Sequence, residues 1–373
     1  SAAFINSGGV NSKPVTINDN DTATIEFTAA TQSPSEAVGM VTVTMQMTTT
    51  PAGATLSADL MVTANVSGSA GGADFMTTPM ATFTSGSGNN ATQSFMITIV
   101  DDLLIEAPET IILALNAGSF SPTLATAGTQ DMQTITISEN ESAVVDFTMA
   151  MSSNSEAAGA VGVGYTLTTT PATAVLSAGE NLLPIVTGGT ALGAGTDFNG
   201  PTAAAFLATS GNGATASASY TIVNDTIVEP DETITFSLGA PSIPLGLITA
   251  GATTTTHTAT ITEDDTAMIE FTTATSMAAE NSGTTMVSFT LTTSGGATLS
   301  EAASLTLGAT MGTAAPGDFS AGAVTDFAIG AGNAATTTFT VTLFGLLLRP
   351  EFNLSTTKRT TREQTLKSSK MKH

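Results

Sequence analysis

Four carboxylates, Asp101, Asp102, Glu106 and Glu109, fall within nine positions of the stretch DDLLIEAPET, residues 101–110. Two like charges about 4 Å apart repel by roughly 1 kcal/mol in water and roughly 4 kcal/mol at a protein surface. Such a group is either spread out in solvent or held together by something positive. A near copy, NDTIVEPDET at 224–233, returns 123 residues on with Asp225, Glu229 and Glu232. Clustered loop carboxylates suit Ca²⁺, which takes roughly six to eight oxygen ligands in loose geometry. Eight acids would exceed the needs of one ion, so two or more per site are expected.

The rest of the composition sharpens this. Charged residues make up only 10% of 373 positions, and the net charge is −23. Seven of the eight bases (Arg349, Lys358, Arg359, Arg362, Lys367, Lys370 and Lys372) lie in the last 25 positions. Before residue 349 a single base, Lys13, faces 29 acids. A body of that charge repels nucleic acid and anionic membrane and attracts cations. The absence of cysteine excludes disulfides and thiolate metal sites. No apolar run reaches the roughly 18 residues of a membrane span. With two histidines in all, and no P-loop, dinucleotide fingerprint or nucleophile elbow, an enzyme is not expected. His257, in TTTTHTATIT, reads as an ordinary strand residue. The DND at 19–21 lacks the glycine and the ligands of an EF-hand loop.

The elements that must position these acids are strands. TATIEFTAAT (22–31), SAVVDFTMAM (142–151) and TAMIEFTTAT (266–275) are copies of one another, with Phe27, Phe147 and Phe271 at spacings of 120 and 124. Asp74, Asp197 and Asp318 recur in GGADF, AGTDF and APGDF. MVTVTMQMTTT, QSFMITIV and TITFSL alternate apolar and polar residues, and nothing reads as a sustained helix. About 120 residues with some seven strands suit an antiparallel sandwich. The expected fold is all-β: three tandem Greek-key, immunoglobulin-like sandwiches with an aliphatic, Met-rich core. The units span 22–141, 142–265 and 266–348, between an N-terminal segment 1–21 and a basic, disordered tail 349–373. Units one and two close with MQTITISENES and HTATITEDDT; a strand of that kind, KPVTINDNDT, opens the chain, and the third unit has none.

IVDDLLIEAPET, its copy IVNDTIVEPDET, the Glu of SPSEAVG and SNSEAAG, the Asp of ADF and TDF, and the turns SENES and TEDD together resemble the Calx-β family. The resemblance implies calcium bound at one end of each sandwich, where loops meet the link to the next unit. Carried over, it implies ligands in unit one at Glu36, Asp74, Asp101, Asp102, Glu106, Glu109, Glu139 and Glu141. In unit two it implies Glu156, Asp197, Asp225, Glu229, Glu232, Glu263, Asp264 and Asp265. Asn224 replaces Asp101, which suggests lower affinity there. Unit three keeps Glu280 and Asp318, but FGLLLRPE puts Gly345 and Arg349 at the positions of Asp225 and Glu229, so no such site is expected.

The functional expectation is an extracellular or cell-surface structural protein, a calcium-stiffened rod. Copies would join head to tail, with Val15, Thr16 and Ile17 of one copy completing unit three of the next by strand addition. The alternatives are a stalk piece of a large calcium-dependent adhesin, where neighbouring repeats are the partners, and a calcium-sensing module.

Overall fold

The computed structural model describes residue 9 and residues 13–116, 118, 120–238, 246–310, 312–315, 317–345 and 353–359. In unit one the strands are β1 (Thr22–Phe27), β2 (Thr31–Gln32), β3 (Met40–Thr50), β4 (Leu60–Gly68), β5 (Phe75–Thr77), β6 (Met80–Phe83), β7 (Thr92–Ile99), β8 (Leu104–Ile105), β9 (Glu109–Leu115), β10 (Thr126–Ala127) and β11 (Met132–Ile137). They form two sheets, ordered β10-β1-β3-β7-β5 and β2-β11-β9-β4-β6. Both ends of the unit therefore serve both sheets: the entering chain passes from β1 to β2, and the closing chain from β10 to β11.

Alternation builds the core between the sheets. Along β3, Val41, Val43, Met45 and Met47 turn inward while Met40 and Thr42 face solvent, the two-residue period of a strand. The expectation of a Met-rich core is corrected here. Among the described residues only Met45 and Met47 are buried. Met40, Met76, Met96, Met151 and Met286 sit at outward positions and are more exposed than not or nearly so. Phe27 and Phe147 do anchor the first two cores.

Unit two repeats the arrangement. One sheet runs Phe198–Asn199, Thr215–Ile222, Ala160–Thr170, Ser142–Phe147, Ile248–Ala250, and the other Met151–Ser155, Thr256–Thr262, Glu232–Ser237, Ile185–Gly189. His257 lies in its core, with Nδ1 2.7 Å from the Met149 carbonyl and Nε2 2.9 Å from the Ser152 hydroxyl.

Unit three has a four-stranded sheet, Ala267–Phe271, Thr284–Thr293, Thr336–Leu343 and Phe319–Val324, and a separate pair, Ser304–Thr310 with Asn353–Arg359. The strand Asn353–Arg359 lies in the stretch expected to be a disordered tail, so pairing in this unit reaches residue 359. Its Thr-rich sequence, NLSTTKR, has the composition of a strand despite its two bases. Residues 1–8, 10–12, 346–352 (Arg349 among them) and 360–373 lie outside the described residues. No helix among the described residues is long and apolar enough to cross a membrane.

Successive units are joined by a repeated device. β8, in the middle of the acidic loop, pairs in parallel with Val175–Leu176 of unit two. Ile227–Val228 pairs in the same way with Thr298–Leu299 of unit three. The Ser177 hydroxyl donates to the Ile105 carbonyl at 2.8 Å, and that of Ser300 to the Val228 carbonyl at 2.8 Å. Ile105 is 2% exposed and belongs to the core of unit two, not of its own unit. Burying a side chain of that size contributes roughly 2 kcal/mol.

Candidate metal centre

The acids named from the sequence converge at the junction end of units one and two. In unit one, carboxylate oxygens of Glu36, Glu139 and Glu141 lie within 4.8 Å of one another, as do those of Asp74, Glu106 and Glu109. One cleft is lined by Glu36, Asp74, Glu106, Glu109 and Glu139. In unit two the corresponding groups are Glu156, Glu263 and Asp264, and Asp197, Glu229 and Glu232. Glu156, Asp197, Glu229, Glu232 and Glu263 line the equivalent cleft.

Backbone N–H groups fix these side chains, and they do so identically in the two units. The Glu106 N–H donates to Glu139 Oε2 at 2.7 Å, and that of Glu229 to Glu263 Oε2 at 2.8 Å. The Asp225 N–H donates to Glu156 Oε1 at 2.8 Å, with a longer counterpart from Asp102 to Glu36 at 3.4 Å. Asp102 and Asp225 each accept the N–H two residues on, from Leu104 at 2.6 Å and Ile227 at 2.8 Å. The acidic loop is thus locked to the closing turn, and its tip is held out toward the next unit.

Crowding raises the proton affinity of the clusters. Burial, followed by the hydrogen bond and charge of Glu139, pushes Glu36 up to about 8. Burial, with Asp74 beside it, pushes Glu109 to about 7, and burial with Glu139 beside it pushes Glu141 to about 7. In unit two burial, then Asp197, raises Glu232 to about 8, and burial raises Glu156 to about 7. Burial also raises Glu139, but hydrogen bonds from Glu141, Glu106 and Glu36 outweigh it and leave that carboxyl below its usual range.

The residues fit calcium. Every donor in the clusters is a carboxylate oxygen. Glu141 Oε2 and Asp265 Oδ2, equivalent positions in the two closing turns, are buried with no hydrogen-bond partner. A buried carboxylate oxygen without a partner is costly unless a cation meets it.

The neutral Asn224 has a counterpart elsewhere in the cluster. In unit one the Asn140 amide donates to Asp101 at 3.2 Å. Unit two has Asn224 at the position of Asp101 and Asp264 at the position of Asn140. The amide and the acid trade places, and both units keep eight acids. Asp265 departs from Glu141: its Oδ1 accepts the hydroxyl of Ser294, in unit three, at 2.8 Å. In unit three Glu280 is exposed, Asp318 accepts the Ala315 N–H at 2.7 Å, and among the described residues no acidic triad forms. Val15 and Ile17 are 79% and 90% exposed, and the described part of the N-terminal segment, 13–21, is not in a strand.

Repeated all-β sandwiches with a cluster of acids at the end of a unit, where the loop docks on the next, define a class of tandem β-sandwich modules. The family model for the Calx-beta domain matches twice, at residues 18–141 and 138–265, and the chain belongs to the Calx-beta domain family. Among solved structures it is similar to the calcium binding domain CBD12 of CALX1.1, with 14% identity over 63% of this chain and 98% of that one and a TM-score of 0.29. CBD12 of CALX1.2 gives 15% identity over 63% and 98%, at a TM-score of 0.28. The titin fragment I67-I69 gives 7% over 90% and 93%, at 0.26. No curated relative matches the chain. The family assignment rests on the sequence match alone.

Proposed function

We propose that the chain is an extracellular structural protein, a rod of sandwiches that calcium stiffens at the unit junctions and that joins copies head to tail. One observation carries this reading. The loop that supplies Asp102, Glu106 and Glu109 also supplies β8, whose Ile105 sits in the core of the next unit. Bound calcium would neutralise the clustered acids of both the loop and the closing turn. With those acids held together, the loop tip is fixed and so is the angle between units. Without a cation, repulsion among eight carboxylates loosens the loop and the docked strand with it.

Head-to-tail assembly is favoured by the third unit. Among the described residues, no strand flanks Ala267–Phe271 on the side where β10 flanks β1, and none flanks Asn353–Arg359 on the side where β11 flanks β9. Exposed Val15 and Ile17 have the alternation of such a strand. Electron microscopy of the chain in millimolar calcium, beside a chain lacking residues 1–18, tests the reading. Filaments from the first and none from the second are expected. Stiff monomeric rods from both would replace the polymer with a stalk segment of a larger adhesin, and rods that calcium leaves unchanged would end the stiffening role.

A further inference from the structure

Each complete unit is closed by one continuous segment that adds a strand to both sheets. In unit one β10 lies parallel to β1, with Thr24 opposite Thr126 and Ile25 opposite Ala127. The chain then crosses at residues 128–130 and continues as β11 beside β9. A carboxylate on β1 holds the crossing. Glu26 Oε1 accepts the Thr129 N–H at 2.6 Å, the Thr129 hydroxyl at 2.9 Å and the Gln130 N–H at 3.3 Å. Unit two does the same with Asp146 Oδ1, which accepts the N–H groups of Thr253 and Thr254 at 3.1 and 2.9 Å. In both units a glycine leads into the crossing: a Cβ on Gly128 would collide with the Glu26 carboxylate, and one on Gly251 with that of Asp146.

Among the described residues, unit three has the carboxylate without the segment. Glu270 stands where Glu26 and Asp146 stand, but it is exposed, and among the described residues nothing donates to it. Ile269 and Phe271 on the same strand are only half-buried, whereas Ile25, Phe27, Val145 and Phe147 are fully covered. The sequence of a closing segment occurs at residues 4–21. FINSGGVNSKPVTINDND falls on LATAGTQDMQTITISENE, residues 124–141, without a gap. Phe4 meets Leu124, Gly8 meets Gly128, Val15 and Ile17 meet Ile135 and Ile137, and Asp19 and Asp21 meet Glu139 and Glu141.

We infer that Glu270 is the latch that receives residues 4–21 of a second copy of this chain, accepting the N–H groups of Gly9 and Val10 as Glu26 accepts those of Thr129 and Gln130. This rests on the head-to-tail reading and gives it an address. In the docked register Asn6 lies opposite Met268 and Ser7 opposite Ile269. The occupant is taken to be another copy because residues 4–21 are the stretch outside the three units whose sequence matches a closing segment, and such a segment leads directly into a unit, as residue 141 leads into 142, 265 into 266 and 21 into 22. Pro14 falls where the Thr134 N–H donates to the Ala30 carbonyl at 2.9 Å, and the donor forgoes that one bond.

The natural chain has no cysteine, which makes a crosslink unambiguous. Full-length N6C and M268C, mixed under mild oxidation in millimolar calcium, should form a disulfide between the two chains, since paired strand positions lie within disulfide reach. Adding G9T to the N6C chain should leave the crosslink intact, because threonine already occupies the matching position 129. Adding G8V should abolish it, because the new side chain meets the latch. E270A in the M268C chain should lower the yield about tenfold, the loss expected for charge-assisted hydrogen bonds. A crosslink indifferent to both G8V and E270A, or filaments with no crosslink at this pair, overturns the latch while leaving head-to-tail assembly standing. Neither filaments nor crosslink overturns both.

Discussion

Units one and two differ from unit three in two respects, and the closing segment contributes to both. Each of the first two has a core cluster of 22 buried apolar residues, and the third has 8 among the described residues. Each of the first two gathers its acids into two triads, and the third gathers none among those residues. The closing segment supplies part of each feature. In unit one β11 brings Ile135 and Ile137 to the core, and the turn immediately after it brings Glu139 and Glu141 to the cluster. A sandwich without this segment loses core cover and the closing-turn ligands together, while the triad of Asp74, Glu106 and Glu109 draws on none of its residues.

Calcium removal should separate the units most sharply. A ligand that binds only the folded state at about a hundredfold excess over its Kd stabilises by about 2.7 kcal/mol, and two triads per unit give about twice that. Chelation should therefore move the calorimetric transitions of units one and two down by many degrees and leave that of unit three in place. A third transition that moved equally would break the contrast.

Core truncation comes next. Ile25→Ala in the covered core should cost about 3 kcal/mol, within the range for buried Leu and Ile, and Ile269→Ala at the half-buried matching position about 1 kcal/mol. Denaturant unfolding of each variant checks this. If filaments form, Ile269→Ala should become the costlier of the two inside them.

The pH dependence of the calcium-free chain follows from the raised carboxyls. Glu36 and Glu232 rise from 4.5 to about 8, and Glu109, Glu141 and Glu156 to about 7. A carboxyl with a folded value above its unfolded one binds more protons when folded. The stability it contributes is full below the unfolded value and is lost as pH rises through the folded value. Calcium-free units one and two should thus melt at a lower temperature at pH 8 than at pH 5. Calcium should reverse the trend, with proton release on binding.

The smallest effect concerns the traded pair. N224D with D264N rebuilds in unit two the arrangement of Asp101 and Asn140, and calcium affinity should change less than threefold in a titration. N224D alone adds a ninth acid and should tighten binding, while D264N alone removes one and should weaken it. A double change whose effect departs from the sum of the two single changes would measure the coupling between the positions.

Much of this was legible in the sequence because each signal was local and repeated. Two-residue alternation marked the strands, and 120-odd-residue copies marked the units. The acidic loops named most of the cluster before any geometry was known. What escaped depended on partners far along the chain. Asn353–Arg359 pairs with Ser304–Thr310, some fifty residues earlier, and its two bases disguised it as a tail. The exchange of Asn140 with Asp101 spans 39 residues. Glu26 meets its loop across 103 residues, although Gly8, Gly128 and Gly251 at matching positions carried the signal. The methionines were misplaced because their hydrophobicity was read without the inward or outward parity of their positions. The junction strands were missed because Leu104–Ile105 and Ile227–Val228 are only two residues long.

The most direct test of calcium stiffening is a distance measured across the first junction. Spin labels at Thr92→Cys in unit one and Thr215→Cys in unit two occupy equivalent exposed positions. Pulsed electron resonance on the full chain should give one narrow distance in calcium and a broad distribution after chelation, with E106Q broad in both. A distribution equally narrow with and without calcium would contradict the account.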